Sequence, residues 1–221
     1  MPSPAAEPRL PEDLADLEDA TLDDLADEAR LDGVAVSGGV GAEVRVRALT
    51  LTHARLAGVR LPGATFEDAE MVDVVWDDCD LAGLTLASTV LRRVTFRRCR
   101  LTSLVAADLV ASDVRFLECR MEEAWLRAAR VERADLSACD LTGSDWYGAR
   151  VTNTRIRDSR LDGAELSQSR LDGVALHGTS IDGVRGSAAL RKLVVGPEQV
   201  LDVALAVFPS LGIRVEERDD G

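Results

Sequence analysis

The sequence predicts a solenoid, and two regularities in steps of five residues predict it. From Leu31 to Ile181 every fifth residue is large and apolar, without insertion or deletion. Across these 31 positions only Gly41, Ala106 and Ala111 depart from Val, Ile, Leu, Met, Phe or Trp. Two residues before each of them the side chain is small, namely Ala, Val, Cys, Ser, Thr or Gly at 27 of the 31 places. A period of five fits neither the 3.6-residue helix nor the two-residue strand. A fixed period sustained over this length signals stacked repeats.

Several stretches share one pattern of a small residue, a polar one, Leu or Phe, and two polar or turn residues. They include Ala64-Thr65-Phe66-Glu67-Asp68, Ala134-Asp135-Leu136-Ser137, Ser159-Arg160-Leu161-Asp162-Gly163 and Ala164-Glu165-Leu166-Ser167. This resembles the pentapeptide repeat family. The resemblance implies an all-β fold, a right-handed quadrilateral β-helix in which four pentapeptides close one square coil of twenty residues. The large and small residues then point inward and the other three outward.

The chain divides into three parts. Residues 1–30 form an acidic, proline-rich tail, with 1–10 expected to be disordered and 11–30 to make short helical turns that lead into the first coil. Residues 31–183 form the β-helix, of seven to eight coils. Residues 184–221 form a C-terminal cap. There, Pro197 followed by Val200, Leu201, Ala204, Leu205 and Phe208 has helical spacing, which predicts a helix over about 197–208, started by Pro197 and stopped near Pro209. Gly212-Ile213-Arg214-Val215-Glu216 then reads as a closing strand. Open ends of a β-helix expose unpaired edges, so a lid is expected. By resemblance the same lid also pairs two copies, with Leu201, Leu205 and Phe208 as the candidate contacts.

Twenty-residue columns fill consistently. All four cysteines, Cys79, Cys99, Cys119 and Cys139, occupy the inward small position of one side, and Gly63, Gly83, Gly143, Gly163 and Gly183 recur where that side turns. Trp76, Phe96 and Phe116 form an aromatic column continued by Leu136 and Ile156. Between Leu101 and Phe116 the sizes invert, with Leu104 and Leu109 in small slots and Ala106 and Ala111 in large ones. Either the volumes exchange in place or the strand bulges.

The net charge is −13, and most of it lies in the tail: residues 1–30 carry −8, residues 31–183 only −4. In the body, Asp73, Asp77, Asp78 and Asp80 precede Arg93, Arg97, Arg98 and Arg100 by twenty residues, so acids and arginines should meet between coils and help fix the stacking register. The exception is the like-charged column Arg130, Arg150 and Arg170, a candidate surface contact for an anion or an acidic partner.

Catalysis finds no support in these residues. His53 and His177 stand about six coils apart at outward positions, remote from the cysteines and unable to form a nucleophile–base pair. Parallel, inward cysteines suit core filling rather than a convergent tetrahedral site. No cofactor or metal is expected, and no apolar run approaches a membrane span or signal-peptide core. The expectation is a soluble, cytoplasmic protein with reduced thiols that does not bind nucleic acid directly.

Two functional readings follow. In the first, the rod is a non-catalytic scaffold for an unidentified protein partner. In the second, the chain resembles the quinolone-resistance pentapeptide proteins, which imitate duplex DNA and occupy the DNA site of gyrase. The near-neutral body departs from that pattern, since the coil spanning 91–110 carries five Arg against one Asp.

Overall fold

A computed structural model describes residues 8, 9 and 14–214. The chain winds into an all-β parallel solenoid of about nine turns closed by one short C-terminal helix. Each turn has four sides, which in one coil are centred on Leu91, Phe96, Leu101 and Ala106. The first two sides join in continuous eight-residue strands, Thr50–Ala57, Glu70–Asp77, Val90–Arg97, Val110–Leu117 and Arg130–Ser137. The third side pairs through single bridges at Arg60, Asp80, Arg100, Arg120, Asp140 and Arg160. The fourth starts as short strands at Arg45–Arg47, Thr65–Glu67 and Thr85–Ala87 and continues as bridges through Val105, Trp125, Asp145 and Glu165.

The register is a translation by twenty residues, with Trp76 beside Phe96, Phe96 beside Phe116, and Phe116 beside Leu136. Each corner needs a left-handed residue two places after the large one. Gly63 and Gly83 provide it with φ of 70° each, yet Arg93 (52°), Asp113 (56°) and Glu123 (56°) adopt the same conformation with a full side chain. That conformation costs a non-glycine residue roughly 1–2 kcal/mol. Backbone bonds to the next coil, such as Asp78 N–H to the Arg97 carbonyl at 3.0 Å, hold it in place.

The interior is a ladder of like side chains. The rings of Trp76, Phe96 and Phe116 stack with centroids 6.2 and 5.0 Å apart and planes within 9°. The cysteine column lies buried, and each thiol donates to the carbonyl two residues before it, as Cys119 does to Leu117 at 3.4 Å. The size inversion is an exchange in place: Leu104, Ala106, Leu109 and Ala111 are all buried, and Ala111 still pairs with Leu91 and Val131.

The solenoid begins before the expected boundary. Where short helical turns were anticipated, Glu18–Ala20 is a strand paired with Val34–Val36, followed by a single 3₁₀ turn at Leu22–Asp24. Leu22 occupies the space left by the small residues at Gly39 and Gly41, where a Cβ would meet it at 2.9 and 3.8 Å. Further out, Pro8 is buried and its carbonyl accepts from Arg115 at 3.4 Å, while the Arg9 amide donates to Asp113 at 3.1 Å. The remaining tail, residues 1–7 and 10–13, lies outside the described residues.

At the far end Val194–Val195 pairs with Ala175 and Leu176. Pro197–Gln199 forms a 3₁₀ turn, Val200–Val207 an α-helix and Phe208–Leu211 a second 3₁₀ turn. Gln199 falls in the cysteine column one coil beyond Thr179, and its Oε1 accepts from the Thr179 amide at 2.5 Å. A side chain thus replaces the next coil as hydrogen-bond partner. The anticipated closing strand has no counterpart at Gly212–Arg214, because the left-handed Gly212 (φ 71°) ends the helix there; Val215 and Glu216 lie outside the described residues.

Candidate functional site

The outward columns are the broadest surface of a solenoid, so the candidate site is built from charge. The side chains of neighbouring coils repeat at about 4.8 Å, close enough for a carboxylate and a guanidinium twenty residues apart to meet. Arg93 grips Asp73 with two bonds of 2.6 and 2.5 Å. Arg98 holds Asp78 with two of 2.7 Å, Arg97 binds Asp77 at 3.0 Å, and Arg100 reaches Asp80 at 3.5 Å. Two coils on from Asp73, Arg133 clasps Asp113 at 2.8 and 2.9 Å. Arg157 meets Asp135 at 2.7 Å, and Arg160 pairs with Asp140.

These bonds shift titration. The hydrogen bond from Arg97 holds Asp77 below the usual carboxylate range, and that from Arg133 does the same for Asp113. Two-bond Arg–carboxylate contacts fix geometry as well as charge. Charge spent this way leaves little field for a distant partner, and among the described residues no side carries an unbroken acidic column from coil to coil.

Arg130, Arg150 and Arg170 behave differently. They lie directly beside one another on three successive strands of the first side, and all are exposed. None has an ion-pair partner among the described residues. The acids two places along the same strands are committed elsewhere: Glu132 binds Arg133, and Asp172 accepts from Lys192 at 2.6 Å. Beyond Arg170 the surface continues into a shallow hollow lined by Ser169, Ala188, Arg191 and Lys192. Three like charges at coil spacing repel, and an acidic group bridging them would relieve that repulsion.

The cap presents a second surface. Val203, Ala206 and Val207 pack on the end of the core. Leu201 and Leu205, one helical turn apart, are 67% and 47% exposed, while Phe208 is half-buried. Leu211 and Ile213 are exposed nearby.

The core columns are filled by buried thiols and apolar side chains. A hydrogen bond to the next thiol and burial push Cys99 and Cys119 up to about 12. Among the described residues no group of three or more His, Cys, Asp or Glu is arranged to hold a metal, and no helix is long and apolar enough to cross a membrane. His53 lies 3.0 Å from Asp32, and His177 lies 3.4 Å from Glu198. One feature escaped the sequence reading: Trp125 and Tyr147 stand outward on the fourth side, exposed. The five-residue register carries the signal, since both fall in slots that the repeat points to solvent.

Residues 91–166 match the family model described as pentapeptide repeat region. Among solved structures, HetL, a pentapeptide repeat protein involved in heterocyst differentiation regulation from the cyanobacterium Nostoc sp. strain PCC 7120, is similar at 16% identity, covering 72% of this chain and 86% of that chain with a TM-score of 0.34. Full-length QnrB1, a plasmid-mediated fluoroquinolone resistance protein, is similar at 16% identity, covering 79% and 100% with a TM-score of 0.41. Rfr23, a pentapeptide repeat protein from the cyanobacterium Cyanothece 51142, is similar at 14% identity, covering 75% and 90% with a TM-score of 0.19. No curated protein matches the chain.

Proposed function

We propose that this chain, whose residues 91–166 match the pentapeptide repeat family model, works as a non-catalytic scaffold that engages an acidic partner protein through Arg130, Arg150 and Arg170. The observation that carries this reading is the contrast between that column and its surroundings. The ladders through Asp73, Asp77, Asp78 and Asp113 pair each acid with an arginine of the next coil, whereas this column stacks three exposed guanidinium groups. Arginine is suited to such contacts because its planar fork binds carboxylates in two places and it is weakly hydrated. Two rods joined through Leu201, Leu205 and Phe208 would double the valency of the surface; the exposure of the two leucines supports this pairing. Four buried thiols favour the cytoplasm as the working compartment.

The test is capture from the native cell lysate by the wild-type protein and by the triple variant Arg130→Glu, Arg150→Glu, Arg170→Glu. An acidic protein retained by the first and lost by the second is the expected result. Identical capture by both would remove the column from the function.

A second reading, occupancy of the gyrase DNA site by a DNA-shaped rod, draws on the unbroken stack of about nine turns. The alternation of Asp and Arg along the columns weighs against it, because imitation of duplex DNA calls for a continuous run of negative charge comparable to one phosphate per roughly 1.7 Å of helix axis.

A further inference from the structure

The fourth side carries a surface of a different kind from the arginine column. Trp125 occupies an outward slot whose column otherwise holds Arg45, Thr65, Thr85, Val105, Asp145, Glu165 and Arg185. Its backbone is fixed by bridges to Val105 and Asp145, so the ring stands on a rigid platform. It is nevertheless 57% exposed, and Tyr147, one coil on and two residues further round, is 39% exposed. Arg127 lies between them with its guanidinium carbon 5.6 Å from the Tyr147 ring centre and its Nε 2.6 Å from Asp145. The residues that follow Arg127 and Tyr147, Ala128 and Gly148, are small, and a Cβ at Gly148 would meet nothing within 4 Å.

The rim is acidic. Glu123 and Asp108 are exposed and have no ion-pair partner among the described residues, and the Glu122 carboxylate accepts from the Thr102 hydroxyl at 3.0 Å. Asp108 is held beside Arg127 by its own amide, which donates to the Arg127 carbonyl at 2.9 Å. Arg127 is thus committed to Asp145 and Tyr147, whereas Glu122 and Glu123 just before Trp125 in the chain and Asp108 on the preceding coil have no ion-pair partner among the described residues. Exposed Trp and Tyr on a rigid frame are the residue types that dominate interface energetics. Aromatic faces ringed by carboxylates attract cations, arginine most of all.

We propose that the fourth side around Trp125 and Tyr147 docks an arginine-bearing segment of a partner protein, stacking a guanidinium on Trp125 while Glu122, Glu123 and Asp108 neutralise neighbouring charges. This deepens the scaffold reading and rests on it, but it uses a separate side and the opposite charge. The rod would then hold an acidic surface on one side and a basic segment on another.

The test titrates a hexa-arginine amide peptide into the full chain at moderate salt, with acrylamide quenching of tryptophan as the readout. Trp76 and Trp146 are buried, so quenching reports on Trp125. The expected result is protection of Trp125 by the peptide, with affinity lowered about tenfold or more in Trp125→Ala, severalfold in the double variant Glu122→Gln, Glu123→Gln, and unchanged in Asp182→Asn, an exposed acid three coils further along the column of Glu122. Trp125 lies mostly outside the core, and circular dichroism checks that its variant keeps the wild-type fold. Equal affinity in Trp125→Ala and wild type, or peptide binding that leaves Trp125 fully quenchable, would overturn the proposal. The peptide should also bind the triple arginine variant at least as tightly as wild type, so a failure of the arginine column and a failure of the aromatic surface remain distinguishable.

Discussion

Phe96 is the residue whose removal the stacking account constrains most tightly. It is 1% exposed and its ring lies between Trp76 at 6.2 Å and Phe116 at 5.0 Å, nearly parallel to both. Truncation to alanine removes the transfer energy of the ring and leaves a cavity, a loss of about 3–5 kcal/mol for Phe→Ala in cores. Stacked aromatic pairs add about 0.5–1.5 kcal/mol beyond burial, and two such pairs vanish here. The cavity also relaxes poorly, because strands 70–77, 90–97 and 110–117 are locked in register on either side. The expected loss therefore lies at the upper end, about 5 kcal/mol, which is a large share of a total stability of about 5–15 kcal/mol. At about 2–4 °C per kcal/mol for a chain of this size, the midpoint should fall by roughly 10–20 °C. Urea unfolding followed by circular dichroism measures the loss, and its slope shows whether the array still melts as one unit, as stacked repeats need not. A loss below about 1 kcal/mol with an unchanged slope would refute the stacked-ring account of the core.

Other consequences follow from the same geometry. Because all four cysteines are buried, with Cys99 and Cys119 pushed up to about 12 and only Cys139 lowered, by its hydrogen bond with Cys119, burial should leave the native protein unmodified by a thiol reagent at pH 7–8, and all four cysteines should label after unfolding in denaturant. Rapid labelling of any one under native conditions would contradict the column. Asp77 and Asp113 have folded pKa values below their unfolded value of about 3.9. Their contribution to stability is therefore fully present above about pH 4 and is lost as the pH falls through the lowered values, so the unfolding midpoint should hold from neutral pH to about 5 and decline below 4. A midpoint that rose on acidification would contradict the ladders. Deleting residues 1–9 removes the contacts of Pro8 and Arg9 with Arg115 and Asp113; about 1 kcal/mol of stability should go with them, with faster amide exchange at residues 110–117. Unchanged exchange there would show that the tail does not dock in solution.

The parts of this molecule that repeat were readable because translation by one coil makes spatial neighbours of residues twenty apart. Trp76 above Phe96, Cys99 above Cys119 and Arg93 above Asp73 are all consequences of that one number. Contacts that break the period were not readable. Pro8 meets Arg115 across 107 residues, Leu22 fills a gap left at Gly39 and Gly41, and Glu18–Ala20 joins the sheet at an offset of sixteen. Gln199 lay in plain view as the next member of the cysteine column, but its amide acts there by hydrogen bonding rather than by volume. The inversion at Leu104 to Ala111 needed the register itself, since exchange and bulge share one coil length. The arginine column was visible in sequence as a like-charged column; the commitment of Glu132 and Asp172 to other partners was not.

The scaffold account separates from DNA imitation most directly in one assay, gyrase-catalysed supercoiling of relaxed plasmid with rising concentrations of purified protein, with and without a quinolone. A rod whose acids are paired with arginines along its length should leave supercoiling and drug-induced cleavage unchanged into the tens of micromolar, about the Kd range at which non-specific electrostatic contacts begin to register. Inhibition at micromolar concentration or below, or relief of drug-induced cleavage, would contradict the scaffold account and make the exposed carboxylates the functional surface.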